Sequence, residues 1–534
     1  GKDGVDGQDG TDGSVGPQGI AGVKGEKGDT GAQGIAGKDG VDGADGADGV
    51  DGADGVDGAA GVDGVDGIDG EAIGLPGPAG PKGDEGPKGI PGVTGPQGET
   101  GEQGIAGVDG TDGATGAAGA AIVRNIPAGN VVTTLDETGD VGRMSSMTIG
   151  ADGLGLISYY DNTSEDLKVA HCSDTDCTTA TITALDETGD VGEYTSITIG
   201  ADGLGLISYY DNTSDDLKVA HCSDTNCTSA TITTLDSTDD VGRYSSITIG
   251  ADGLGLISYY DNTSDDLKVA HCSNTNCTSA TITTLDSTDD VGRYSSITIG
   301  ADGLGLISYY DNTSDDLKVA HCSNTNCTSA TITTLDSTGD VGRYSSITIG
   351  ADGLGLISYY DWTSDDLKVA HCSNTNCTTA TKTTLDSTDS VGRFTSITIG
   401  ADGLGLISYY YLDSGDLKVA HCSNTNCTTA TKTTLDETGD VGEYTSMTIG
   451  ADGLGLISYW DFTNADLKVA HCSDTKCTTA TITKLDKTGY VASETSITIG
   501  VDGLGLISYY DWDNENLKVA HCDNAFCSPY FRRR

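Results

Sequence analysis

Residues 245–294 read SSITIGADGLGLISYYDNTSDDLKVAHCSNTNCTSATITTLDSTDDVGRY, and this stretch decides the fold. Ser245–Ile249 has the composition of a short strand, and Asp252-Gly253 after it is a hairpin turn pair. Leu254–Tyr260 is apolar and aromatic, as a well-buried strand would be. The polar run Asp261–Asp266 ends it and Leu267–Cys272 forms a third strand. A turn at Ser273–Asn276 leads to Thr278–Leu285, a fourth strand rich in β-branched residues. Asp286 to Gly292 reads as the loop into the next unit, and no helical period is present.

Working outward, the unit recurs every 50 residues; residues 251–300 and 301–350 differ only at Asp289 against Gly339. Four strands in 50 residues match one propeller blade. The first three strands each occur eight times. The fourth follows a second cysteine seven times, and its eighth copy, Asn130–Asp136, precedes the first unit. An N-terminal strand at 130–136 can therefore complete the last blade and leave no open edge. The expectation is an all-β chain with an eight-bladed β-propeller over 131–534, ahead of a β-solenoid or a string of beads. The unit also resembles tandem repeats in large secreted bacterial proteins, a resemblance that carries no activity to transfer. Asp-box, WD and kelch signatures are absent from it.

Residues 1–121 follow a different rule. Glycine stands at every third position from Gly1 to Gly70 and again from Gly74 to Gly119, with one extra residue at 70–73. Only glycine fits the axis of three wound polyproline-II chains, so the period specifies a collagen-like triple helix. At about 3 Å per residue the rod would be roughly 350 Å long. The segment resembles the collagen-like stalks of bacterial and viral surface proteins, and that resemblance implies a homotrimer. Residues 122–130 read as a linker, with Ile122, Val123 and Ile126 able to pack about a threefold axis. The chain opens inside a Gly-X-Y triplet, as a mature form or fragment would.

Charge narrows the partners. The net charge is −53, with −17 in residues 1–121 and −36 in the rest. Such a chain does not bind nucleic acid by charge and is repelled by anionic membranes. No apolar run approaches the length of a membrane span. All 16 cysteines form Cys-x4-Cys pairs: Cys172/Cys177, Cys222/Cys227, Cys272/Cys277, Cys322/Cys327, Cys372/Cys377, Cys422/Cys427, Cys472/Cys477 and Cys522/Cys527. Each pair flanks the turn between third and fourth strands, where facing hairpin positions lie within disulfide reach. Complete pairing points to an oxidising, extracellular or cell-surface location. Zinc is the competing reading, since each pair begins His-Cys, but neighbours on a strand point to opposite faces. Each histidine, such as His171, shares a face with Leu167 and Val169 and reads as a packed strand residue.

In a propeller the second-to-third and fourth-to-first connections share one face. That face collects Asp161, Asp166, Asp186 and Asp190 with their equivalents. Asp186 and Asp190 bracket a short run of oxygen donors suited to calcium, although the full calcium-loop pattern is missing; no other cofactor is expected. Variation between copies points elsewhere on the same face. The position of Asn162, Asn212, Asn262 and Asn312 becomes Trp362, Leu412, Phe462 and Trp512 on four consecutive blades. Tyr411 replaces an aspartate and Trp460 a tyrosine nearby. Exposed aromatics beside carboxylates suit sugar stacking or a protein contact. The function expected is an extracellular trimeric surface fibre or adhesin whose heads bind a glycan, matrix component or cell-surface protein. A purely structural filament or coat is the alternative, and a propeller glycan hydrolase the third. Near-identical blades supply like groups around a ring, so no enzyme is expected.

Overall fold

A computed structural model describes residues 129–528. The collagen-like stalk expected at 1–121, with its interruption at 70–73, most of the linker and the basic residues Arg532–Arg534 lie outside the described residues. The described chain forms eight four-stranded antiparallel sheets arranged as a propeller. Blade 1 runs 141–186, and each later blade starts 50 residues on, to blade 8 at 491–521. Blade 8 lacks its own fourth strand and takes Val131–Asp136, paired from Val131↔His521 to Asp136↔Leu517. Asn130 secures the join: its Nδ2 donates to the Cys527 carbonyl (2.7 Å) and its Oδ1 accepts from the Asp523 N–H (2.9 Å). The expected closure of the ring is thus observed.

Burial follows strand order. The second strand, Gly255–Asp261 in blade 3, is buried on both faces, whereas the fourth, Ala280–Asp286, is mostly half-buried. Each apolar cluster spans two blades: Leu206, Leu217 and Val219 of blade 2 pack on Val241, Ile257, Tyr259 and Cys272 of blade 3.

The eight cysteine pairs are disulfides with Cα–Cα separations of 4.6–4.8 Å. They are fully buried, and eight such bonds fit an oxidising compartment. The partners are those expected, but their placement corrects the sequence reading, which set the two cysteines at facing hairpin positions. The residue facing Cys172 across the hairpin is Ala180, not Cys177. Cys177, Cys227, Cys277, Cys327, Cys377, Cys427, Cys477 and Cys527 lie in the turn itself, outside any strand. All eight take left-handed backbone, with φ between +49° and +53°. Their N–H groups close that turn, as Cys177 N–H does on the Asp174 carbonyl at 3.0 Å. In blades 1 to 7 the fourth strand starts three residues after this cysteine, at Ala180 in blade 1, so the bond ties the end of the third strand to the turn. The physical reason is loop length: four intervening residues are spent on the turn before antiparallel pairing can begin. Gly205 lets the disulfide in, since a Cβ there would meet the Cys222 sulfur at 2.8 Å.

The inner strand is longer than the sequence pattern suggests. In blade 3 it runs Val241–Ile249 and begins inside the stretch read as a loop. Two register shifts, at Val241/Arg243 and Arg243/Ser246, bend it. Gly242 sits at φ +110°, and a Cβ there would lie 2.8 Å from the Leu217 Cα of the preceding blade. Tyr244 follows with φ +54°. This bulge re-aims one side chain per blade.

The seams between blades carry a repeated polar bolt. Asp186, at the end of a fourth strand in blade 1, accepts from the Tyr209 hydroxyl (2.8 Å) and the Lys218 ammonium (3.0 Å) of blade 2. Thr188 Oγ1 donates to the same carboxylate at 2.6 Å. Burial pushes the Asp186 carboxyl up, but these hydrogen bonds and the lysine charge outweigh it and hold it below the usual range. The corresponding Asp, Tyr and Lys recur at every seam, from Asp136 with Tyr159 and Lys168 to Asp486 with Tyr509 and Lys518.

Candidate functional site

Register fixes which features share a face. Val241 pairs with Asp261 and Arg243 with Tyr260, so the bulged start of each inner strand lies beside the loop after the second strand. The axial residues and the variable loops therefore open at one end of the blades.

On that face the six ligand-binding candidates separate into two groups. Trp362, Leu412, Phe462 and Trp512 are exposed, at 37–44%. In blades 1 to 4 the asparagine at this position ties its loop down, as Asn262 Nδ2 does to Asp240 (2.8 Å). Replacement by an apolar residue frees that contact and presents a side chain to water. Trp460 is buried, and Tyr411 is half-buried with the Lys418 ammonium 4.7 Å from its ring centre. Trp460 underlies the loops: its ring lies 5.0 Å from Phe462 and 5.2 Å from Tyr490. The Tyr411 hydroxyl donates to Asp389 at 3.1 Å.

Both exposed tryptophans are held by arginines. The Arg393 guanidinium lies 4.6 Å from the Trp362 ring centre, and Arg343 lies 5.2 Å from it. Arg143 lies 5.0 Å from Trp512, whose Nε1 donates to Ser493 Oγ at 2.7 Å. Such contacts contribute roughly 0.5–2 kcal/mol and set the rings before any ligand arrives.

The calcium candidates are engaged with protein donors. Asp186 forms the seam bolt, and Asp190 accepts from the Tyr160 hydroxyl and from Asn212 Nδ2, both at 2.7 Å. On the opposite face, each histidine Nε2 meets the aspartate of its own hairpin turn, as His271 does Asp252 at 2.8 Å. At the junction of blades 8 and 1 a second carboxylate joins this pair. Asp176, Asp502 and His521 place one ligand atom each within 4.8 Å of one another, a donor set of the kind that holds a divalent cation. Asparagine stands at the Asp176 position in five of the other copies, which left this difference easy to overlook.

Sequence reasoning missed the axis. The bulge position is Met144, Tyr194, Tyr244, Tyr294, Tyr344, Phe394, Tyr444 and Glu494 in blades 1 to 8, each with φ between +52° and +56°. Neighbouring rings from Tyr194 to Tyr444 stand 4.7–6.0 Å apart, forming an aromatic arc about the axis. Blade 8 breaks the pattern: Ala492, Ser493 and Glu494 stand where blades 3 and 4 have Gly, Arg and Tyr. Reading the fifty-residue copies as columns exposes it at once.

No protein-family model matches the sequence, and no curated protein matches it. Solved structures do match in fold. The Dos1 propeller superposes with a TM-score of 0.43 at 11% identity, covering 74% of this chain and 92% of that one. Puromycin hydrolase gives 0.40 at 12%, covering 70% and 58%. The NanB sialidase from Streptococcus pneumoniae gives 0.32 at 10%, covering 74% and 69%. The expectation that the chain is no enzyme is corrected by these matches: a hydrolase and a sialidase are among them. Its premise also fails, since blade 8 places unlike groups at the axis. At these identities the likeness is one of fold alone.

Proposed function

We propose that the protein is an extracellular binding protein whose propeller head recognises carbohydrate across blades 5 to 8 and is carried on a homotrimeric collagen-like stalk. One observation carries the reading: on four consecutive blades a loop-tethering asparagine is replaced by Trp, Leu, Phe and Trp, each exposed on one face. A sugar presents C–H faces that stack on aromatic rings and hydroxyls that bond to carboxylates, and this arc offers both. The eight buried disulfides support an extracellular setting, and the glycine period, interrupted once at 70–73, supports the stalk. Three heads on one stalk would bind a repetitive surface by avidity, so weak individual sites suffice.

The test is binding of the full chain to a glycan panel and to matrix proteins. Trp362→Ala with Trp512→Ala should weaken glycan binding by about tenfold or more, since each lost stacking contact is worth roughly 1 kcal/mol. Asn262→Ala, on the unvaried side, should leave it unchanged. Glycan binding that survives the double change would sink the proposal.

A further inference from the structure

The axis holds a second site, independent of the exposed tryptophans. Tyr344, Phe394 and Tyr444 line a cavity of about 290 Å³, floored by Ser345, Thr395, Thr445 and Thr495. Glu494 occupies the next bulge position on the ring, one residue before Thr495. Its Oε1 accepts the Met144 N–H at 2.6 Å, and no other hydrogen bond engages this carboxylate among the described residues. The preceding strand residue is Ser493, where four other blades have an arginine that pairs with its own Asp. Arg143 is held by Asp140 at 2.8 Å and stacks on Tyr510 and Trp512.

We infer that the axial channel binds an organic ammonium group. Aromatic faces carry negative potential and attract cations within about 6 Å of the ring centre. The Glu494 carboxylate, at the bulge position next after Tyr444 on the ring, supplies a countercharge beside these faces. The net charge of −53 draws cations toward the head and disfavours an anionic ligand. Backbone strain marks the same strand. Ala492 takes φ +86° where the seven other blades have glycine at this position. Strain of this kind clusters where a site holds its geometry against local preference.

The experiment titrates the full chain with n-butylammonium, tetramethylammonium, the peptide Gly-Lys-Gly and the neutral isostere neopentanol. Calorimetry and Trp emission are the readouts, since Trp460 lies 6.1 Å from Tyr444. At least one cation should bind saturably and neopentanol about tenfold more weakly. The small ammonium ions, set against the peptide with its N-terminus acetylated, distinguish a small ligand from a lysine side chain on a partner. Glu494→Gln and, separately, Tyr344→Ala should each lower cation affinity about tenfold, with circular dichroism confirming the fold. Trp362→Ala should leave it unchanged, which separates this site from the glycan arc. Absence of saturable cation binding, equal binding of neopentanol, or wild-type affinity in both axial variants would overturn the inference.

Discussion

The seams between blades and the face above them obey opposite rules. At every seam the same three residues meet: an aspartate from one blade with a tyrosine and a lysine from the next. On the face, the same fifty-residue unit carries Asn, Trp, Leu or Phe at one position and Tyr, Phe, Met or Glu at another. A seam residue touches two blades at once, so a change there disturbs a closed ring. A loop or axial residue has solvent on one side and is free to differ. The head is thus a uniform frame around a non-uniform surface.

The frame is broken at a bolt. Asp286→Ala removes one of the two carboxylates that hold buried Lys318, leaving Asp311 at 3.0 Å, and strips the buried Tyr309 hydroxyl of its acceptor; it should cost about 2 kcal/mol by urea denaturation. The pH dependence carries the same signature. The seam carboxyls are held below their usual range, so their contribution is complete above the unfolded value of about 3.9 and is lost as pH falls through the folded value. Glu494 has the opposite sign: burial pushes its carboxyl up despite the Met144 N–H. Glu494→Gln should therefore raise stability at neutral pH, and the gain should vanish on acidification. A thermal-unfolding series from pH 7 down to pH 3 checks both signs.

Comparable or smaller effects sharpen the contrast. Replacing both Cys272 and Cys277 by alanine should cost about 2 kcal/mol, the closure entropy of a short loop; an effect near zero would show that packing alone holds the turn between the third and fourth strands. Ala492→Gly should stabilise blade 8 by about 1 kcal/mol by relieving its left-handed backbone. Asn262→Trp, transplanting the blade 5 residue to blade 3, should shift stability by less than about 0.5 kcal/mol because the side chain stays in water. A large penalty there would contradict the claim that the face is free to vary.

Much of this was legible in the sequence. The second to fourth strands, the ring closure and the choice of disulfide partners follow from alternation, strand count and cysteine spacing, and the structure agrees to within a residue or two. The seat of the second cysteine was not legible, because spacing alone does not reveal that Cys277 turns left-handed and leaves Ala280 to face Cys272. Nor was the start of the inner strand. Gly242 and the bulge at Arg243–Ser246 interrupt alternation, so Val241 and Gly242 looked like loop, Arg243 and Tyr244 fell between elements, and the axial residues stayed hidden. Asp186 looked like a loop oxygen because nothing local reveals its partners, Tyr209 and Lys218, in the next blade. Trp460 was grouped with Trp362 and Trp512, yet it ends a strand rather than leading a loop, and it is buried.

The borrowed strand at Val131–Asp136 also sets a timetable. Its Asp136 can dock on Tyr159 and Lys168 as soon as blade 1 exists. Its sheet partner, Asn516–His521, arrives almost 400 residues later in the chain. During synthesis the first strand therefore waits as an exposed template while seven blades are laid down beside it. A ribosome that stops before the last repeat releases a crescent with two unpaired edges, each able to recruit another chain. The final blade acts as a completion check: only a chain that includes it can close on itself and withdraw both edges from its neighbours.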